Sequence, residues 1–159
     1  MELRHHWCGF PALHAFAWAV PYASYPLLAV DSEKLITASA DQTVRIWQLQ
    51  TGKELFRFQQ GEPCRAVTLS IGETMMAYTT DAFMGTAPMI HLVKLELDDL
   101  SRQSAKPILS IDAPKGRITR AFWSDLNRVL VTSHDGGFMR KWDSEVGARV
   151  HLLQHWGDA

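Results

Sequence analysis

Leu35 to Phe58 reads LITASADQTVRIWQLQTGKELFRF, and this order predicts three short β-strands joined by two tight turns. Leu35 to Ser39 forms the first strand and Thr43 to Leu49 the second. In the second, Val44, Ile46 and Gln48 fall on one face and Arg45, Trp47 and Leu49 on the other. Alternation with a period of two marks a half-buried strand, because apolar positions on a helix recur at three and four residues. Asp41, between the two strands, is suited to accept from its own downstream backbone and tighten the turn. Gly52, within Thr51-Gly52-Lys53, supplies a positive φ cheaply at the second turn. Leu55, Phe56 and Phe58 then open a third strand.

The order Ser39, Asp41, Thr43-Val44-Arg45-Ile46-Trp47 resembles the end of a WD repeat, the four-stranded blade of a β-propeller. Gln48 stands where the Trp-Asp signature has Asp. An ordinary antiparallel meander that happens to contain Asp and Trp is the less favoured alternative, and repetition tests it. Residues 64–112 follow the same plan, with strands at Arg65–Ser70, Met75–Thr80 and Ile90–Leu95 and a last one from Pro107 to Ile111. Asp81 takes the turn, an insertion covers 82–88, and Val93 takes the Trp position. The polar loop from Asp98 to Lys106 reads as a solvated connection.

A third unit has strands at Ile118–Ser124, Val129–Ser133 and Phe138–Asp143, and Trp142-Asp143 is the dipeptide itself. Asp135 lies one residue further from Trp142 than Asp41 lies from Trp47, which a β-bulge at Gly136-Gly137 would absorb. Arg149 to Leu153 begins the closing strand. Trp47, Val93 and Trp142 recur 46 and 49 residues apart, an interval that points to a repeat architecture. The expected fold is therefore all-β, with about three WD-type blades forming an incomplete propeller, since closed propellers carry about four to eight. Such a chain is expected to be a fragment or a truncated form. Its expected divisions are an atypical, poorly ordered leader (1–30), a blade (31–60), a degenerate blade with inserted loops (61–112), a blade (113–155) and a tail (156–159).

Composition narrows the function. The 159 residues are 47% hydrophobic and 21% charged with a net charge of −1, so no global basic field is available to hold nucleic acid by phosphate neutralisation. Cys8 and Cys64 show no CxxC spacing, which favours a reducing compartment over a disulfide framework. No apolar run reaches the roughly eighteen residues of a membrane span. The leader is interrupted by Pro11, His14 and Pro21 and is not read as a secretory signal. His5, His6 and Cys8 fit no standard zinc spacing, so no metal is expected there. No nucleophile-elbow, phosphate-loop, dinucleotide or zinc-protease motif is present, and Asp98-Asp99 make a poor carboxylate pair because they are adjacent and loop-borne. The sequence thus predicts neither an enzyme nor a cofactor. Arg117 and Arg120, beside Lys115, are candidates for contact with RNA or an acidic protein surface, but a solvated strand edge is the favoured reading of them.

The WD resemblance implies a structural network in each blade, made by a turn Asp, a strand Ser or Thr, the Trp and a His. On these positions it comprises Ser39, Asp41 and Trp47 in the first unit and Ser133, Asp135 and Trp142, followed by Asp143, in the third. The His has no counterpart near Gln60 or Pro114. Four stretches go further. LITASADQT (35–43), FRF (56–58), YTTDAFMG (78–85) and PKGRITRAFW (114–123) resemble the subunit I family of eukaryotic translation initiation factor 3. The resemblance covers about residues 33–150 and implies a non-catalytic cytoplasmic scaffold. It further implies docking on the factor's B and G subunits and, through them, action near the small ribosomal subunit in recruiting mRNA. Two other readings remain open: a WD signalling adaptor associated with a receptor kinase, and a propeller hydrolase, which would need convergent His and carboxylates that the sequence does not assemble.

Overall fold

Within each repeated unit, consecutive strands are hydrogen-bonded neighbours. The computed structural model describes residues 25–30, 33–113, 116–124 and 126–153. Among them the chain forms three four-stranded antiparallel sheets. The first contains β1 (Tyr25–Val30), β2 (Lys34–Ser39), β3 (Thr43–Gln48) and β4 (Glu54–Gln59), paired in that order. The second contains β5 (Cys64–Leu69), β6 (Met75–Thr80), β7 (Met89–Lys94) and β8 (Leu109–Asp112). The third contains β9 (Ile118–Ser124), β10 (Val129–His134), β11 (Met139–Asp143) and β12 (Arg149–Leu153). Consecutive hairpins give every sheet the same meander, which is the construction of a propeller blade.

The first sheet starts earlier than the boundary at 31. Tyr25–Val30 pairs with β2, from Tyr25 opposite Ala38 to Val30 opposite Lys34. A continuous apolar run such as YPLLAV lacks the alternation by which the other strands announce themselves. The rest of the leader, 1–24, and the end of the chain, 154–159, lie outside the described residues, so His5, His6 and Cys8 do too.

The sheets pack side by side, and their faces make two cores. Ile36, Ala38, Val44, Ile46 and Phe58 of the first sheet meet Cys64, Val67, Met76, Tyr78 and Val93 of the second. Ala77, Ile90, Leu92 and Ile111, on the other face of the second sheet, meet Ile118, Leu130 and Trp142 of the third. Leu35 and Trp47 form a smaller cluster on the far face of the first sheet. β3 is therefore buried on both faces, not on one as its alternation predicts: Val44 and Ile46 look into the first seam, Trp47 away from it. Each fully buried aliphatic or aromatic side chain contributes about 1.5–3 kcal/mol relative to exposure, so the seams outweigh any single hydrogen bond.

Polar clips reinforce the second seam at one end. The Asn127 side chain donates from Nδ2 to the Ile71 carbonyl (2.8 Å) and accepts the Ile71 N–H on Oδ1 (2.6 Å), copying one antiparallel bridge between the β5–β6 and β9–β10 turns. Asn127 does so at φ +71°, a left-handed conformation that Asn tolerates better than most residues. Gly147, at φ +68°, closes the same region: a Cβ there would lie 3.2–3.3 Å from Ile111 and Leu109.

Two substitutions in the first seam separate packing from polarity. Tyr78 is fully buried, and among the described residues its hydroxyl has no hydrogen-bond partner. Ile46→Ala is expected to lower unfolding free energy by about 2–5 kcal/mol. Tyr78→Phe is expected to leave it unchanged or raise it by up to about 1 kcal/mol, because it removes an unsatisfied polar atom while keeping the ring. Urea titration of both variants checks this, and a large loss in Tyr78→Phe would show that the hydroxyl is bonded.

Candidate functional site

Strand register decides which residues are equivalent in the three sheets. Trp47 lies opposite Leu35, Val93 opposite Met76 and Trp142 opposite Leu130. Two residues further along the middle strand, on the same face, come Thr37, Tyr78 and Thr132. The indole of Trp47 donates to Thr37 Oγ1 (2.9 Å), and that of Trp142 donates to Thr132 Oγ1 (2.9 Å), both buried. The partners of the two tryptophans are thus Thr37 and Thr132, not Ser39 and Ser133. Ser133 falls on the opposite face, where its hydroxyl meets Thr119 Oγ1, while Ser39 Oγ accepts the Asp41 N–H. In the second sheet the sizes are exchanged, Val93 for Trp and Tyr78 for Thr, so that a large ring still fills the layer. His91 stacks on Tyr78 at 5.0 Å and shares a hydrogen bond with Ser110.

The third sheet also contains the histidine that no Gly-His dipeptide supplies. His134 lies two residues beyond Thr132, its Nε2 3.0 Å from Thr132 Oγ1 and its Nδ1 3.3 Å from the Gly116 carbonyl. A carbonyl only accepts, so Nδ1 carries the proton. The chain then runs in one direction: Trp142 N–H to Thr132 O, Thr132 O–H to His134 Nε2, and His134 Nδ1–H to Gly116 O. Each donor finds an acceptor only while the imidazole is neutral. Burial holds the His134 pKa below its ordinary value, with Arg140 acting in the same direction, and burial lowers that of His91 as well. Phe138 stacks on the His134 ring at 4.6 Å, and the Arg140 guanidinium lies over Phe138 at 4.7 Å.

The turn aspartates serve three different ends. Asp41 accepts from the Thr43 N–H and hydroxyl and pairs with Arg45, as a turn-tightening Asp should. Burial works against its charged form, but the contacts with Thr43, Ser39 and Arg45 hold its carboxyl below the usual range. Asp81 takes Arg65 of β5 on both carboxylate oxygens. Asp135 accepts the Arg117 N–H (3.0 Å), tying the β10–β11 turn to the entry of β9. The pairing of β10 with β11 runs without a break from Val129 to Ser133, and Leu130 to Trp142 spans the same twelve steps as Leu35 to Trp47, so the hairpin contains neither an extra residue nor the expected bulge; Asp135 sits one position earlier in it than Asp41 does in the first. Asp143 caps its own turn, accepting from the N–H groups of Glu145 and Val146, which lower its pKa.

Of the candidate contact residues, Arg117 and Arg120 are both exposed. Arg117 precedes β9, whereas Arg120 lies within it opposite Ser133, on the face turned away from the second sheet. Among the described residues no group of three or more His, Cys, Asp or Glu is arranged to hold a metal ion, and no helix is long and apolar enough to cross a membrane.

Three repeated four-stranded meanders, packed face to face and in two cases pinned by a Trp–Thr hydrogen bond, are blades of a WD-type β-propeller. No family model matches the chain. Curated proteins do. The chain is 30% identical over 120 residues to eukaryotic translation initiation factor 3 subunit I of Drosophila melanogaster and 28% identical over 123 residues to that of Bombyx mori. It is 29% identical over 131 residues to subunit I of Scheffersomyces stipitis. These matches take in 76%, 77% and 80% of the chain, but 37% of each relative. The chain is thus similar to initiation factor 3 subunit I proteins, and spans little more than a third of their length.

Thr132→Val is expected to cost about 1–3 kcal/mol, since it strands the Trp142 N–H and the His134 acceptor together. Stability should also depend on pH. A histidine whose folded pKa lies below its unfolded value of about 6.5 contributes stability that is full above that pH and is lost as pH falls through the folded value. Urea midpoints are therefore expected to fall from pH 7 to pH 5, with a shallower fall in His134→Gln. An unchanged slope in that variant would show that His134 titrates normally.

Proposed function

We propose that this chain acts as a non-catalytic scaffold in the eukaryotic translation initiation factor 3 complex. In this reading it assembles through protein–protein contacts with the B and G subunits, supports the initiation complex on the small ribosomal subunit and contributes to mRNA recruitment in the cytoplasm. The supporting observation is the similarity to proteins named subunit I, which extends over about three quarters of the chain in an insect and a yeast alike. The described architecture fits that role. The buried Trp142–Thr132–His134 chain joins strands to each other. Ser39, Asp41, Trp47, Ser133, Asp135, Trp142 and Asp143 are accordingly read as residues that build the blades.

Affinity capture with the 159-residue chain from a eukaryotic lysate, followed by mass spectrometry, tests the proposal. The B and G subunits are expected among the captured proteins, at levels that fall with Thr132→Val in proportion to the fraction unfolded. Capture of a receptor-kinase complex without initiation-factor subunits would replace the scaffold with the adaptor reading. Capture of chaperones alone would also refute it for this chain.

A further inference from the structure

The face of each sheet turned toward the next one can be compared position by position, because the register fixes the equivalences. In the first sheet it presents Ile36 and Ala38 on β2 and Val44 and Ile46 on β3, all 0% exposed. In the second it presents Ala77, Thr79, Ile90 and Leu92, also 0% exposed. The matching positions in the third sheet are Val131, Ser133, Met139 and Lys141. Lys141 thus stands where Ile46 and Leu92 stand. On the first strand of the sheet, Phe122 pairs with Val131 and Arg120 with Ser133. Their counterparts in the second sheet are Thr68, opposite Ala77, and Ala66, whose N–H bonds Thr79; both are buried.

The third face therefore keeps the apolar centre of a seam, with Val131 opposite Phe122 on the neighbouring strand, but sets two cations around it. Phe122 is 48% exposed. Among the described residues neither Arg120 nor Lys141 has an ion-pair partner, while the nearby Asp143 carboxylate is engaged in capping its own turn. An aliphatic sheet like those filling the first two seams would bury Lys141 and Arg120 without counter-charge, which the cost of desolvation strongly disfavours. An occupant that covers Phe122 and also places carboxylates against the two cations avoids that cost.

We propose that this face is a docking surface for an acidic polypeptide segment, laid with an apolar side chain on Phe122 and carboxylates against Arg120 and Lys141. Polypeptide is favoured over nucleic acid because the platform is a sheet face with a buried aliphatic centre, where the described side chains supply two cations, Arg120 and Lys141. Phosphate tracking needs a longer basic groove and several stacking rings. The proposal does not depend on which complex the chain joins.

Binding of fluorescent peptides to the full chain tests it by anisotropy. A short soluble peptide alternating Val and Glu is compared with its Gln-for-Glu and Lys-for-Glu counterparts and with oligouridylate RNA. The Glu peptide is expected to bind at least about tenfold more tightly than the Gln peptide, and to weaken as salt is raised. Arg120→Glu and Lys141→Glu should each remove that preference, and Phe122→Ser should weaken the Glu and Gln peptides alike. Circular dichroism confirms folding, and Arg120→Glu, at an exposed position, keeps the test valid where Lys141→Glu does not fold. Equal binding of Glu and Gln peptides, binding of neither, or preference for the RNA would overturn the proposal. So would sedimentation showing a dimer that Phe122→Ser dissolves, since the occupant would then be a second copy.

Discussion

The burial of one sheet face against the next is the constraint from which the rest of this structure follows. A four-stranded antiparallel meander has two faces, and the middle sheet here covers both, with Met76, Tyr78 and Val93 on one side and Ala77, Ile90 and Leu92 on the other. Neither outer sheet can be removed without uncovering one of those layers. Stability is in this sense a property of neighbours, approximately a sum of blade terms and seam terms as in other repeat architectures. It also explains why side-chain sizes are negotiated across the sheets. Where the second blade has Val93 in place of Trp, Tyr78 grows to fill the layer, because an interior packed to crystal-like density does not leave the volume empty.

Within that frame the polar residues have a narrower task. The Trp–Thr bonds pin the third strand of a blade to the second, and the aspartates at the turns pin hairpins, each with a different partner. The third blade shows that the network does not require a particular donor of the histidine. His134 comes from the middle strand and reaches the same threonine that receives the indole. What is preserved is the direction of donation through buried atoms, which satisfies each group in turn.

Much of this was legible in the sequence, and the parts that were not share one cause. Strands such as Met75–Thr80 and Ile118–Ser124 are bounded by turn residues and were placed without the structure. Gly52 has the positive φ its turn demanded. Tyr25–Val30 escaped because an unbroken apolar run gives no period to count. The threonine partners escaped because alignment started from the turn aspartates. The two hairpins are equally long, twelve steps from Leu35 to Trp47 and from Leu130 to Trp142, but Asp135 sits one position earlier in its hairpin than Asp41, so counting from the aspartate displaces the strand by one and reverses its faces. Counting from the tryptophans finds Thr37 and Thr132 directly. The family, by contrast, was legible from short stretches such as YTTDAFMG and PKGRITRAFW, although strand pattern alone leaves open which WD family they belong to.

Cys64 sits at the edge of the first seam, 1% exposed, where burial pushes its thiol up to about 12. In the folded chain it is both unreachable and almost wholly un-ionised near neutral pH, and only a thiolate reacts readily. An alkylating reagent can therefore modify it only during moments when the first two blades part. The chain carries its own clock for that breathing: the slow rate at which one sulfur atom is capped reports how often the seam opens, without any label being added to the protein.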